Sequence, residues 1–264
     1  MNTITSKDNE IIKSIRKLKE KKYRDINHEY IVEGLKMTRE AIIENADIKL
    51  IVVCEECLQD GSIDNKLKYE IAKYDCIYVN KKVFSLLTDV QNPQGILAVI
   101  KKKDKEGNID FKQDIIVALD GIQDPGNLGT ILRTIDSVGL NQVIVSKETA
   151  DAYNPKVVRS TMGAIFRVNI IEAENLLSTL KNAKKHHYKV MATSLEDSAS
   201  IYEVDYNKKI IVIGNEANGV SKEVLDYADE KIKIPMLGKT ESLNASVATG
   251  IVLYEYVRRK IKGN

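Results

Sequence analysis

Long apolar runs are missing from this chain. None reaches the roughly 18 residues needed to cross a bilayer, so no membrane-spanning helix is expected. The first residues, Met1-Asn-Thr-Ile-Thr-Ser-Lys7, lack the apolar core of an export signal. Cysteine is scarce as well, with three in 264 residues, and an odd number without an export signal fits reduced thiols in the cytoplasm better than a disulfide framework. The fingerprint G-x-G-x-x-G is absent, which weakens a nicotinamide-dinucleotide reading, and so is the usual glycine-rich motif of the common Rossmann methyltransferases. Internal repeats and low-complexity segments are also lacking.

What remains is ordinary globular composition, 43% hydrophobic and 30% charged, in a chain long enough for two modest domains. A net charge of +2 is too small to announce a nucleic-acid partner, but its distribution is uneven. A helix expected near Asn9 to Lys22 carries Ile11, Ile12, Ile15 and Leu18 on one stripe. Between Ile11 and Arg24, Lys13, Arg16, Lys17, Lys19, Lys21, Lys22 and Arg24 stand against a lone Glu20. RNA phosphates are one partner for such a face, with Lys13, Arg16, Lys17 and Arg24 as contacts. A solvated surface and a membrane-surface helix are the alternatives.

Helical and strand patterns alternate almost throughout, which predicts an α/β protein. The domains expected are 1–103, a linker at 104–113, and 114–264. In the first, strands are expected at Tyr30-Ile-Val32, Lys49–Val53, Cys76–Val79 and Gly95–Ile100, with helices at Leu35–Glu44 and Lys66–Lys73. The second has continuous apolar runs at Ile115–Leu119, Gln142–Ser146, Lys189–Ala192 and Ile210–Ile213, the pattern of strands buried on both faces of a mostly parallel sheet. The last helix bears Leu243, Val247, Ile251, Tyr254, Val257 and Ile261 at helical spacing, with small Ala245, Ala248 and Gly250, and is expected to pack tightly.

Three islands place polar residues where strands give way to turns and helices. Asp124-Pro-Gly-Asn-Leu-Gly-Thr130 precedes a helix whose apolar stripe is Leu128, Ile131, Leu132, Ile135 and Val138. Arg133 leaves the opposite face, free to reach a cleft or to form a surface ion pair. Ile213-Gly-Asn-Glu-Ala-Asn-Gly-Val-Ser221 has glycines where a backbone must turn or approach a ligand, and Glu216 either acts there or meets free N–H groups at a helix start. Ile234–Ile251 crowds Glu241, Ser242 and Asn244 into a turn at the start of the last helix, where unpaired backbone N–H groups can serve a ligand. Cys54-Glu-Glu-Cys57 has metal-ligand spacing but no second Cys or His pair, so no metal is expected. His28, His186 and His187 have no sequence neighbour that would make a site.

In order and spacing the islands resemble the SpoU or TrmH family of RNA ribose 2′-O-methyltransferases, within the SPOUT superfamily. Asp-Pro-x-Asn-x-Gly-x-x-x-Arg is similar to the family's first motif, Gly214-Asn-Glu-x-x-Gly219 to the second, and Ile234-Pro-Met with Glu241-Ser-Leu-Asn244 to the third. Asn154-Pro-Lys-Val-Val-Arg-Ser-Thr-Met-Gly163 resembles the segment the family places between the first two. The likeness runs from Ile115 to the C-terminus. Ile4-Thr-Ser6 and Tyr30-Ile-Val-Glu-Gly-Leu35 are similar to the family's N-terminal RNA-binding module, akin to certain ribosomal proteins. One departure is Ala217-Asn218, where many relatives begin with glycine, a change expected to alter loop shape only.

The resemblance implies a trefoil knot, one of the rare exceptions to unknotted topology, and a homodimer that completes the site. It implies S-adenosylmethionine as cofactor, held by loops at Thr193, Gly214, Ile234, Met236 and Leu243, and no metal. Arg133 becomes the central catalytic residue and an RNA contact, described in such relatives as a general base acting with an RNA phosphate. A free guanidinium has a pKa above about 12, so fixing the phosphate and stabilising a developing alkoxide is the alternative. Asn127 and Glu216 would orient Arg133, while Ser242 and Asn244 shape the pocket. Large-subunit ribosomal RNA is the favoured substrate. Transfer RNA and a non-catalytic RNA-binding scaffold are the alternatives.

Overall fold

The computed structural model describes residues 3–58, 63–103 and 109–263. Of the expected linker 104–113, residues 104–108 lie outside the described residues. The chain divides into two compact units, one from Met1–Asp104 with Tyr153–Phe166, the other from Lys105–Ala152 with Arg167–Asn264.

The first unit begins with β1 (Thr3–Ile4), α1 (Glu10–Lys17), α2 (Lys21–Asn27), β2 (Glu29–Glu33) and α3 (Leu35–Ile43). It continues with β3 (Ile48–Val53), α4 (Asn65–Ile71), β4 (Cys76–Val79), α5 (Lys81–Leu87) and β5 (Ile96–Lys101). Its five strands lie in the order β1-β4-β3-β5-β2, with β5 antiparallel to both its neighbours. Ile12 and Ile15 of α1, Leu18 just after it, and Val83, Phe84 and Leu87 of α5 cover one sheet face over Ile31, Val52 and Leu97. Capping residues mark the helix starts: Asn9 accepts from the N–H groups of Ile11 and Ile12, and Asn80 from that of Val83.

The helix expected over Asn9–Lys22 is two helices, and Arg24 is the reason. Its guanidinium donates to the carbonyls of Leu18 and Lys19 at 2.8 and 2.7 Å, satisfying backbone acceptors that the end of α1 leaves free. Arg24 is therefore buried, 2% exposed, and does not stand on the basic face to which the sequence assigned it. Ile11, expected in the buried stripe, is 43% exposed.

The second unit comprises β6 (Ile115–Asp120), α6 (Pro125–Ser137) and β7 (Gln142–Ser146). The chain next contributes α7 (Pro155–Ser160) to the first unit, where it packs on β2. Tyr153 sets its ring 4.9 Å from that of Tyr30, and Lys103 donates to the Phe166 carbonyl at 2.8 Å, fastening both ends of the segment. The second unit resumes with β8 (Asn169–Ala173), α8 (Leu176–Lys185), β9 (Lys189–Thr193), β10 (Ala199–Ser200) and β11 (Lys209–Gly214). It ends with α9 (Lys222–Tyr227), β12 (Glu230–Lys233) and α10 (Ala245–Lys262). Its seven strands run β10-β12-β9-β11-β6-β7-β8, and every recorded pairing is parallel. Central β11 and β6 are fully buried apart from Asp120, which explains their unbroken apolar runs. No helix is long and apolar enough to cross a membrane among the described residues.

Helix α10 buries one face within the chain and leaves another free. Its buried face is Ala245, Thr249, Val252, Leu253, Glu255 and Tyr256, and it packs on α6 and β11. The apolar stripe read from the sequence lies elsewhere: Val247, Tyr254 and Ile261 are 50%, 54% and 80% exposed, and Leu243 precedes the helix. Buried Glu255 is held by Arg258 and Arg259, and these hydrogen bonds, that from Arg258 foremost, bring its carboxyl down to about 2 against the opposing effect of burial.

Candidate active site

Parallel strands that share a sheet send their carboxyl ends to one edge, and ligands of open α/β sheets bind there. Four neighbours, β12, β9, β11 and β6, do so here: Ile232 pairs with Thr193, and Gly214 with Asp120. The three islands follow β6, β11 and β12 directly, so parallel topology alone gathers segments more than a hundred residues apart.

The first loop turns at Gly121, whose φ of +72° favours glycine. Asp124 then caps α6, its Oδ1 accepting from the Asn127 N–H at 2.8 Å, with Pro125 in the first helical turn, where no N–H partner is needed. In the second loop Gly214 is required by contact: a Cβ there would fall on the backbone of Gly219 and Val220. Asn215 and Gly219 exchange backbone hydrogen bonds at 2.9 Å, and the Asn215 side chain accepts from the N–H groups of Ala217 and Asn218. The same side chain donates to the Gly121 carbonyl at 2.7 Å, and Asp120 accepts from the Ser221 N–H at 2.8 Å. Asn215 and Asp120 thus pin the two loops together, a role that sequence reasoning missed.

Across this frame runs a chain of side-chain hydrogen bonds. Asn244 Nδ2 donates to Asn127 Oδ1 at 2.9 Å, and Asn127 Nδ2 donates to Glu216 Oε1 at 2.7 Å. Its direction is chemically fixed, because an ionised carboxylate only accepts and Asn127 must offer it the NH₂ end. Asn244 is fixed from the other side: its Oδ1 accepts from the N–H groups of Ser246 and Val247 as the N-cap of α10. Asn127, Glu216 and Asn244, one from each island, are therefore in contact.

Arg133 is not part of that chain. It stands exposed on α6, on the side away from buried Leu128, Ile131, Leu132 and Ile135, and its side chain has no hydrogen bond or ion pair among the described residues. Ser242 is also exposed and unbonded among them. Tyr254 of α10 lies 3.4 Å from Ser137, one turn beyond Arg133, so the exposed faces of α6 and α10 adjoin.

The expected cofactor residues edge the same end of the sheet. Thr193 closes β9 and donates to the Val212 carbonyl at 3.1 Å, Gly214 closes β11, and Ile234 follows β12. Ile234, Met236 and Leu243 are half-buried, while Leu237 is fully exposed. Backbone groups of 235–243 make no hydrogen bond among the described residues. Half-covered apolar side chains beside unsatisfied backbone donors and acceptors suit a flat ring with a polar edge, such as the adenosyl part of S-adenosylmethionine.

Other candidates lie apart. Cys54 and Cys57 share a 3.1 Å Sγ–Sγ hydrogen bond, and burial pushes the Cys54 thiol up to about 12. Among the described residues no group of three His, Cys, Asp or Glu side chains could hold a metal ion. His186 stacks on Phe111 with ring centroids 3.8 Å apart. On α1, Arg16 is exposed, Lys13 pairs with Glu10 at 3.1 Å, and Lys17 lies over the Tyr23 ring.

Comparison with known proteins gives this geometry a family. Residues 114–254 match the SpoU rRNA Methylase family, and residues 9–98 match the MRM3-like substrate binding domain. The chain is 31% identical over 255 residues to the 23S rRNA (guanosine(2553)-2′-O)-methyltransferase RlmP of Bacillus subtilis (strain 168), covering 96% of this chain and 98% of the relative. The crystal structure of an AdoMet-bound rRNA methyltransferase from Sinorhizobium meliloti superposes with a TM-score of 0.86 at 32% identity, covering 98% of each chain. An RNA 2′-O ribose methyltransferase structure gives a TM-score of 0.84 at 28% identity, covering 98% of this chain and 100% of that one.

Proposed function

The chain belongs to the SpoU rRNA methylase family, and from that premise we propose that it methylates a ribose 2′-hydroxyl of large-subunit ribosomal RNA, using S-adenosylmethionine. The observation that carries this reading is the Asn244–Asn127–Glu216 chain at the carboxyl edge of four parallel strands. A ribosomal substrate makes the cytoplasm its working compartment.

S-adenosylmethionine, when bound, supplies a methyl group already electrophilic on its sulfonium. The protein's task is to align a poor nucleophile and manage one proton. Thr193, Gly214, Ile234, Met236 and Leu243 are the residues we assign to the cofactor. Arg133 holds an RNA phosphate and stabilises charge developing on the 2′-oxygen, and Ser242 lines the pocket beside the reacting atoms. Asn127, Glu216 and Asn244 keep the loops in register while this happens. We assign RNA gripping to residues 1–103 together with the inserted Tyr153–Phe166, with Lys13, Arg16 and Lys17 as contacts, and catalysis to the rest of 114–264, joined by 104–113. A knotted path for the C-terminal segment is part of the same proposal.

The free face of α10 supports a homodimer. Val247, Tyr254 and Ile261 expose apolar area on a helix that meets α6, the helix of Arg133, at Tyr254 and Ser137, and a second copy seated there would cover it and bring Arg133 to a composite site.

The test is methyl transfer from labelled S-adenosylmethionine to separate ribosomal and transfer RNA pools, followed by nucleoside analysis. Label in a 2′-O-methylnucleoside of ribosomal RNA is the expected result. Label confined to transfer RNA would reassign the substrate. Absence of cofactor binding would reduce the protein to a scaffold.

A further inference from the structure

The first unit contains a cavity of about 290 Å³, bordered by apolar Ile31, Leu87 and Val158 and by charged Glu33, Lys156 and Arg159. The apolar three are nearly or fully buried. Glu33, at the end of β2, is half-buried, and its Oε1 accepts from the Thr88 hydroxyl. Burial raises its carboxyl above the usual carboxylate range, while the Thr88 hydrogen bond and the Arg159 charge pull it partly back. Among the described residues no cation is within ion-pair distance of it: Lys19, on the same rim, is engaged with Asp89 at 2.7 Å and the Thr88 carbonyl at 3.1 Å. Arg159 and Lys156 are exposed, and their side chains have no bonded partner among the described residues.

A half-buried acceptor and two unengaged cations on the rim of one cavity with apolar lining call for one guest that carries both donors and an anion. A nucleotide has that form. Carboxylates accept two parallel hydrogen bonds, and among the four RNA bases only guanine offers two adjacent donors, N1–H and the N2 amino group, on its Watson–Crick edge. The volume is near the lower limit of small-molecule pockets, about 300 Å³, which suits a single base. We propose that this cavity receives a guanine nucleotide of the substrate RNA, with Glu33 on the base edge and Arg159 and Lys156 on the adjoining phosphate. The assignment rests on the methyltransferase reading for its RNA partner, but every residue in it belongs to one compact unit.

The test uses the full chain with labelled Ile, Leu and Val methyl groups, titrated separately with guanosine, inosine, adenosine and uridine 5′-monophosphates. Guanosine monophosphate should shift the Ile31, Leu87 and Val158 signals. Inosine monophosphate, which lacks only the N2 amino group, should bind about tenfold more weakly. Glu33→Gln should abolish that discrimination, and Arg159→Ala should weaken guanosine monophosphate but not guanosine. Unchanged S-adenosylmethionine affinity in both variants confirms that they fold. Purified large-subunit ribosomal RNA should displace the mononucleotide. Equal responses to all four nucleotides, or none, overturn the base assignment. Guanosine monophosphate that stays bound under saturating ribosomal RNA overturns the RNA assignment in favour of a free nucleotide. Failure of the catalytic reading would show separately, as absent methyl transfer by the unaltered protein.

Discussion

Asn244 Nδ2 donates to Asn127 Oδ1 at 2.9 Å while Asn244 Oδ1 caps α10. One side chain thus ties the start of the last helix to the first island, and Asn127 passes the tie on to Glu216. Asn127→Asp keeps shape but replaces the donor that Glu216 accepts with a second carboxylate. Transfer should fall about a hundredfold through misplaced loops. Steady-state kinetics check this, and an unchanged rate would remove the chain from the mechanism.

Arg133 is held by nothing among the described residues, so its removal should cost little stability. Arg133→Ala should abolish transfer while leaving cofactor affinity nearly unchanged, and Arg133→Lys should restore little, because an ammonium lacks the planar fork. Calorimetric titration beside a transfer assay reads both. Retained turnover in Arg133→Ala would exclude the assigned role.

Gly214→Ala places a methyl group on the backbone of Gly219 and Val220. The second loop must open, at a cost of about 1 to 3 kcal/mol by the usual scale of overpacking. A lower Tm together with weakened cofactor binding is expected. A variant with normal values in both would mean that the loop closes differently.

On the basic helices two substitutions should separate by mechanism. Replacing Lys13, Arg16 and Lys17 with Ala should weaken RNA binding and flatten its salt dependence, each lost phosphate contact lowering the slope by about one. Arg24→Ala should instead destabilise the fold by about 2 kcal/mol or more, because buried carbonyls lose a charged donor, and it should leave the slope alone. An unchanged slope in the triple variant would return that face to a solvated role.

Val247→Asp puts a charge into the exposed apolar stripe of α10. Light scattering should report a dimer for the unaltered chain and a monomer for the variant, with transfer lost alongside. A variant that remains dimeric and active would place the interface elsewhere.

Most of the central sheet was legible because β6, β7, β9 and β11 are buried on both faces and write themselves as unbroken apolar runs. The short edge strands β1 and β10, together with β8 and β12, are interrupted by polar residues and leave no such trace. Periodicity placed the Ile12, Ile15 and Leu18 stripe but carried the helix too far, since the stop depends on Arg24 reaching back from six residues on. Periodicity marked an apolar stripe on α10 without saying what covers it. Val247, Tyr254 and Ile261 are spaced like a core stripe, and nothing local distinguishes a face buried within the chain from one left for another partner. In the site, motif resemblance named Asn127, Glu216 and Asn244 but gave them other work, the first two beside Arg133, and the contact among the three emerges only in the folded chain. Asn215 and Asp120 went unnoticed because their partners are backbone groups.

The passage of Tyr153–Phe166 into the first unit bears on how this protein can be dissected. A fragment cut at the linker would leave β2 without α7 and Tyr30 without the Tyr153 ring packed against it, while the remaining fragment would carry the orphaned segment as an excursion with no place to dock. The two halves are therefore not separable by truncation. The first unit takes one of its helices from beyond residue 150, so translation must pass residue 166 before that unit can finish folding.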